Sequence, residues 1–181
     1  DSWFAHSRDG FHWQRPRTGP FFTWGPEGSW DSKSVSILTH PNRVGDELWV
    51  YYSGSNHEDT AVGLAKLRLD GFVSIDAIDN SHRRAGKNYP PTLMTKPLKS
   101  PGNRLVVNAD ARDGFIDAEL LDVDGYPIEG YSSEDCDTFE GDSLAHTFTW
   151  KGNPDIGGRL PARVRFTLNN TKLYALQIPQ A

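Results

Sequence analysis

A short loop rich in glycine and proline carries carboxylates on both sides of a tryptophan. The residues are Glu27, Trp30 and Asp31, in the run Gly-Pro-Glu-Gly-Ser-Trp-Asp-Ser. Carboxylates accept hydrogen bonds from sugar hydroxyls, and an indole stacks on the apolar face of a sugar ring. The loop therefore predicts a carbohydrate site, with Trp30 binding substrate and Glu27 and Asp31 as candidate catalytic residues. The structural alternative is that Trp30 belongs to the core and Asp31 caps a turn.

A second polar cluster follows a predicted strand over residues 48–52. Tyr52 ends this strand, and Asn56 and His57 lie in the loop after it. Loops positioned by a rigid sheet often carry ligand contacts, so all three are candidate substrate-binding residues. His57 is also a candidate proton carrier near neutral pH, and a solvated surface histidine is the alternative.

An acidic stretch, residues 134–142, holds five carboxylates in nine residues. Oxygen ligands so close in sequence are suited to Ca²⁺, which makes Asp135, Asp137 and Asp142 candidate metal ligands. The spacing differs from that of an EF-hand loop, and a solvated acidic loop is the alternative. The sequence lacks the glycine-rich phosphate-binding motifs, so Ca²⁺ is the one cofactor considered.

The composition of the chain indicates its fold class and argues against some classes of partner. The 181 residues include 17 glycines and 12 prolines, which is typical of many short strands and turns. A formal charge of −5 argues against the basic face that nucleic acids require. No run approaches the roughly 20 apolar residues that cross a bilayer. We therefore expect no nucleic-acid partner and no membrane partner, and the single Cys136 excludes an internal disulfide.

The elements that position these residues are predicted to be strands. Asp9-Gly10 predicts a hairpin turn between residues 3–6 and 11–13. Asp70-Gly71 predicts a second hairpin, with a two-residue turn that joins residues 62–69 to residues 72–75. Val164, Phe166 and Leu168 alternate with polar residues, as in a half-buried strand. No segment keeps a 3.6-residue period, so the predicted fold class is all-β.

Three regions follow from this pattern. Residues 1–80 are predicted to form an antiparallel β meander resembling a propeller blade, and residues 103–181 a β-sandwich of packed antiparallel sheets. Residues 81–102, interrupted by prolines, are predicted to connect them. The apolar Trp3, Phe4, Phe21 and Phe22 are predicted to be buried against the sandwich or against a second copy.

The order of segments resembles part of a known architecture. Gly63-Leu64-Ala65-Lys66-Leu67-Arg68-Leu69-Asp70-Gly71-Phe72-Val73-Ser74 is similar to the final strands of the five-bladed propellers of family 32 and family 43 glycoside hydrolases. The segments from Thr95-Lys96-Pro97-Leu98 to Lys172-Leu173-Tyr174-Ala175 are similar to the β-sandwich appended to such propellers. The resemblance implies a carbohydrate-active protein in a bacterial extracellular or periplasmic setting.

The chain departs from that family in its catalytic motifs. The Trp-Met-Asn-Asp-Pro-Asn-type and Arg-Asp-Pro stretches that carry the family's catalytic aspartates are absent. Without them the paired-carboxylate mechanism of glycoside hydrolysis is incomplete. The resemblance therefore favours a module that binds an oligosaccharide or polysaccharide. The alternatives are a secreted glycosidase using Glu27 or Asp31, completed by a missing N-terminal propeller half or by a homo-oligomer, and a structural assembly module.

Overall fold

Every regular element that the structure describes is a β-strand. The structure is a computed structural model that describes residues 1–16, 19–77 and 90–179. The strands form two antiparallel sheets, which confirms the predicted all-β class. The chain divides into an N-terminal unit, Asp1–Phe72, and a C-terminal unit, Val73–Ala181. In the described residues there is no helix with the length and apolar character needed to span a bilayer.

The sheet of the N-terminal unit has four strands. They are β1 (Ser34–Ile37), β2 (Asn42–Val44), β3 (Glu47–Ser55) and β4 (Thr60–Arg68). Strand β3 lies at the centre, with β4 along one edge and with β1 and β2 sharing the other. Because β2, β3 and β4 are joined by short turns, this sheet is the predicted antiparallel meander.

One face of this sheet carries small residues next to large ones. Val50, Tyr52 and Gly54 of β3 point to the same face because strand side chains alternate. Tyr52 lies opposite Gly63, and Gly54 lies opposite Val35. Val35 and Val50 are the two buried apolar side chains of the described N-terminal unit. The core of this unit is therefore thin.

The chain reverses at Asp9-Gly10 as predicted, but residues 11–13 do not form the predicted strand, and the two sides pair through His6 and Gln14 as an isolated bridge. His6 and Gln14 exchange two backbone hydrogen bonds of 2.9 and 2.8 Å across this turn. The Asp9 carboxylate accepts a hydrogen bond from the His12 amide (2.8 Å), and Gly10 has a φ of 77°, which glycine adopts without strain. The turn is thus formed by local hydrogen bonds.

The N-terminal aromatic residues pack within their own unit. Phe4 and Phe21 stack on Phe72, with ring centroids 5.4 and 6.0 Å from its ring. Trp3 is 49% exposed, with the Arg15 guanidinium 4.4 Å from its ring centroid. The prediction that Trp3 is buried is wrong, because a cation covers its ring where an apolar partner was expected.

Six strands form the sheet of the C-terminal unit. They are β5 (Ile75–Ala77), β6 (Thr92–Met94), β7 (Val106–Leu121), β8 (Phe139–Thr147), β9 (Arg163–Asn169) and β10 (Thr171–Gln177). The strands are linked by pairing in the order β5-β10-β7-β9-β6. Strand β8 pairs with β7 along the edge opposite to β10 and β9.

Strand β7 organises the C-terminal sheet. Its first half pairs with β10 and its second half with β9. Because β8 pairs with both halves, β9 and β10 share the edge opposite to β8. The ladder with β8 is irregular between Ala111 and Ile116. At this point Gly114 approaches Asn169 so closely that an added Cβ would lie 1.7 Å from the Asn169 oxygen. Here β7 bends, and the sheet curls around its own core.

The core of the C-terminal unit is large and apolar. Val164, Phe166 and Leu168 of β9 are buried and alternate with half-buried neighbours, which confirms the predicted pattern. Trp150 is also buried, and its Nε1–H donates to the Ala118 oxygen at 2.9 Å. The inward residues of the two halves of the curled sheet fill this core together.

Two sequence predictions differ from the structure at the start of the C-terminal unit. Asp70-Gly71 does form a turn, but the strand after it, β5, pairs with β10 and not with β4. The predicted hairpin is therefore wrong. Within the predicted connection 81–102, β6 pairs with β9, so part of it belongs to the C-terminal sheet. Residues 81–89 of that connection lie outside the described residues.

Candidate functional site

The Trp24–Asp31 loop is closed by backbone hydrogen bonds. The amide of Gly25 donates to the Asp31 oxygen at 3.2 Å, and the amide of Ser29 donates to the Pro26 oxygen at 3.0 Å. Gly28 has a φ of 85°, which a side chain would strain. An added Cβ at Gly25 would lie 2.1 Å from Asp31 Oδ1, so the loop closes only around a glycine.

The Asp31 carboxylate is held inside this loop. Its Oδ1 lies 2.8 Å from the Ser29 hydroxyl, and its Oδ2 accepts a hydrogen bond of 2.9 Å from the Tyr52 hydroxyl. The Ser29 bond, with a smaller contribution from Tyr52, lowers the pKa of Asp31, and partial desolvation opposes them. Burial, followed by the effect of Asp31, raises the pKa of Tyr52. At neutral pH Asp31 is therefore an anion and Tyr52 a hydrogen-bond donor.

Trp30 and Tyr52 fix the loop to the sheet. Their rings stack with centroids 5.7 Å apart and an interplanar angle of 23°. An added Cβ at Gly54 would lie 2.7 Å from the Trp30 ring, and one at Gly63 would lie 2.6 Å from the Tyr52 ring. Phe22 contacts Tyr52 edge-on, with centroids 4.8 Å apart. Two glycines on neighbouring strands thus make room for the aromatic anchor.

The outer side of the loop is exposed. Trp24 is 49% exposed and Glu27 is exposed near the loop tip, whereas Ser29, Trp30 and Asp31 are half-buried. Sequence analysis did not select Trp24, although a tryptophan directly before Gly25 was a usable signal. The loop therefore presents an indole and a carboxylate on a backbone that is anchored from within.

Asn56 and His57 lie in a separate turn between β3 and β4. The Asn56 Oδ1 atom accepts hydrogen bonds from the amides of Glu58 (2.9 Å) and Asp59 (2.7 Å). His57 is exposed, has a φ of 83°, and donates its amide to the Ser55 hydroxyl at 3.1 Å. Asn56 therefore shapes the turn, and no described contact joins either residue to Asp31.

The acidic residues of the C-terminal unit are engaged separately. Asp135 pairs with the Lys151 ammonium and accepts a hydrogen bond from the Ser132 hydroxyl at 2.7 Å. Lys151, with a smaller contribution from Ser132, lowers the pKa of Asp135. Its oxygens are therefore already used by protein donors.

Asp137 and Asp142 have other partners. Asp137 accepts hydrogen bonds from the Thr149 hydroxyl and, at 2.8 Å, from the Gly152 amide. Asp142 lies 3.9 Å from the Arg112 guanidinium. In the described ranges no three His, Cys, Asp or Glu side chains are grouped as a metal site would require. The structure thus does not bring the three candidate calcium ligands together.

Exposed aromatic side chains are concentrated in the N-terminal unit. Phe11 and Trp13, in the first hairpin, are 87% and 64% exposed. The Trp13 Nε1–H donates to the Gly10 oxygen at 3.1 Å, so the indole is tied to the hairpin. With Trp3 and Trp24, they give this unit an aromatic surface.

Comparison of the chain with protein-family models, curated proteins and solved structures gives no match. The functional interpretation consequently depends on the site geometry. The loop can offer an aromatic face and hydrogen-bond acceptors to a ligand.

Proposed function

We propose that the N-terminal unit binds carbohydrate on the outer side of the Trp24–Asp31 loop. Trp24 is the stacking platform in this proposal, and the Glu27 carboxylate accepts hydrogen bonds from ring hydroxyls. The observation that carries it is the division of the loop into an anchored inner side and an exposed outer side. A polyhydroxylated ring requires both an apolar face and hydrogen-bonding groups.

The anchor supports the proposal because it fixes the loop before a ligand arrives. Trp30, Asp31 and Tyr52 hold the inner side through one ring stack and one hydrogen bond. A loop that is already ordered loses less conformational entropy on binding, which favours affinity. Trp30 thus has a supporting role here, and its ring face against Tyr52 is covered.

Binding fits the geometry better than hydrolysis does. A glycosidase acid must hold a proton near neutral pH, which requires a raised carboxyl pKa. The Ser29 and Tyr52 hydrogen bonds lower the pKa of Asp31 instead. Asp31 is therefore suited to anchoring the loop rather than to protonating a leaving group.

A glycan array with matched tryptophan variants tests the proposal. We expect the wild-type protein to bind a subset of glycans and Trp24→Ala to lose that binding. Trp3→Ala is the matched control because Trp3 has the same residue type and the same exposed fraction, 49%, in the same unit. Glu27→Gln is expected to weaken binding to the same glycans.

Folding is checked on each variant by circular dichroism. Absence of binding by a folded wild-type protein would overturn the proposal. Equal loss of binding in Trp3→Ala and Trp24→Ala would place the ligand elsewhere on the N-terminal unit and would reject the loop as the site.

A further inference from the structure

The outer edge of β4 is long and regular. In the part of the chain that the structure describes, this nine-residue strand pairs with β3 alone. The ladder between them is continuous from Thr60 to Arg68 without a register shift. Soluble proteins usually shorten, bulge or cover such edges, because unpaired amides and carbonyls pair readily with another strand.

The hydrogen-bond pattern shows which backbone groups face outwards. The Leu38 amide donates to the Tyr51 oxygen across the opposite edge of β3, so the backbone groups of Tyr51 point away from β4. Tyr51 lies opposite Leu64 in the register of β3 and β4. Antiparallel partners alternate between bonded and non-bonded pairs, so Leu64 does not bond to β3. The N–H and C=O groups of Leu64 and Val62 therefore point to the open edge.

The two side chains at the centre of this edge are apolar and accessible. Val62 is 65% exposed and Leu64 is 39% exposed, and both point to the same face of the sheet. Between them lies Gly63, which has no side chain to obstruct an approaching strand. The centre of β4 thus offers free backbone groups and an apolar surface together.

We propose that β4 pairs antiparallel with the β4 of a second copy of this chain, around a two-fold axis at Gly63. In this register Val62 of one copy lies opposite Leu64 of the other. The outward-facing groups of these two residues exchange hydrogen bonds, as antiparallel pairing requires. The contact is isologous, so every pair occurs twice.

Opposite charges meet in this register, as they also do with the axis at Val62, where Glu58 falls opposite Lys66. Glu58 is exposed in the turn before β4, and the register continued past the strand end places it opposite Arg68 of the second copy. Lys66 falls opposite the uncharged Thr60, so no like charges meet. Moving the axis to Leu64 would place Glu58 opposite Asp70, and like charges directly opposite destabilise a sheet.

Sedimentation velocity of the full chain over a concentration series tests the proposal. The wild-type protein is expected to form a reversible dimer. Val62→Pro removes the outward N–H without removing a bond to β3, so it is expected to give a monomer. Val62→Thr keeps the N–H and the side-chain shape and is expected to remain dimeric.

A charge swap tests the register itself. Glu58→Arg and Arg68→Glu are each expected to raise the dimer dissociation constant about tenfold, and the double variant is expected to restore it. Circular dichroism confirms that each variant is folded. A wild-type protein that stays monomeric overturns the proposal, and so does a dimer that Val62→Pro leaves intact.

Discussion

The inward side chains of the C-terminal sheet meet one another across a curled sheet, whereas those of the N-terminal sheet meet a loop. The C-terminal core includes Trp150, Phe148 and Phe166, all buried. The described N-terminal unit buries only Val35 and Val50 among its apolar side chains, and leaves much of its aromatic surface exposed. The comparison indicates that stability lies mainly in the C-terminal unit, whereas the ligand contact that we propose lies in the N-terminal unit.

The first prediction tests where the stability lies. Trp150→Ala removes a buried indole and the partner of the Ala118 oxygen, and we expect a loss of about 3–5 kcal/mol in the free energy of unfolding. Denaturant unfolding measures the loss of free energy. Hydrogen exchange, measured on individual peptides by mass spectrometry, shows which unit opens. Tyr126→Ala is the control because Tyr126 is an exposed aromatic residue of the same unit.

The second prediction concerns the anchor of the N-terminal loop. Gly54→Ala would place a Cβ 2.5 Å from the Asp31 Cβ and 2.7 Å from the Trp30 ring. Overpacking of this kind destabilises by about 1–3 kcal/mol, and we expect faster hydrogen exchange in the Trp24–Asp31 loop. Gly19→Ala is the control because an added Cβ there has no neighbour within 4 Å. Unchanged exchange in Gly54→Ala would mean that the loop is not anchored on β3.

The third prediction separates the units by their response to acid. Burial lowers the pKa of His146, which stacks on Phe139 with ring centroids 4.0 Å apart. The unfolded chain therefore binds a proton that the folded C-terminal unit does not, once the pH falls below about 6.5. We expect the stability of this unit to decline from about pH 6.5 downwards, measured as the urea midpoint.

The Asp31 carboxylate has a dependence of the same sign but at lower pH. Its pKa is lowered in the folded state, so its contribution is present above the ordinary aspartate value and is lost only below about pH 4. His146→Phe is the control for the C-terminal decline, and Asp31→Asn for the acid response of the loop. A midpoint that is flat between pH 7 and pH 5 in the wild-type protein would contradict the assignment to His146.

Local patterns predicted local structure well and distant pairing poorly. The alternation of Val164, Phe166 and Leu168 predicted a half-buried strand correctly. Two identical Asp-Gly dipeptides had different outcomes, because the chain after Asp9-Gly10 returns to pair at His6 and Gln14, while the strand after Asp70-Gly71 joins β10. The two cases differ because a distant strand, β10, pairs with the residues after Asp70-Gly71. The dipeptide sequence itself does not indicate that partner.

The candidate site was predicted in part for the same reason. The residue types chosen from sequence did include Trp30, Asp31 and Tyr52, which the structure brings into contact. Sequence could not show that these three would face inwards and that Trp24 would face outwards, because exposure depends on how the loop closes. Asn56 was selected as a ligand contact, and its hydrogen bonds serve the turn instead.

The division of β7 between two partners has a consequence for the order of folding. The β3–β4 hairpin joins neighbours in sequence through one short turn, and hairpins form in about 1–10 μs. Strand β7 must wait for β9 and β10, which are synthesised after β8 and the long segment behind it. Closing such distant pairs is slow because chain entropy is lost before the contacts form. During synthesis, the thinly packed unit thus takes shape while the more stable one is still incomplete.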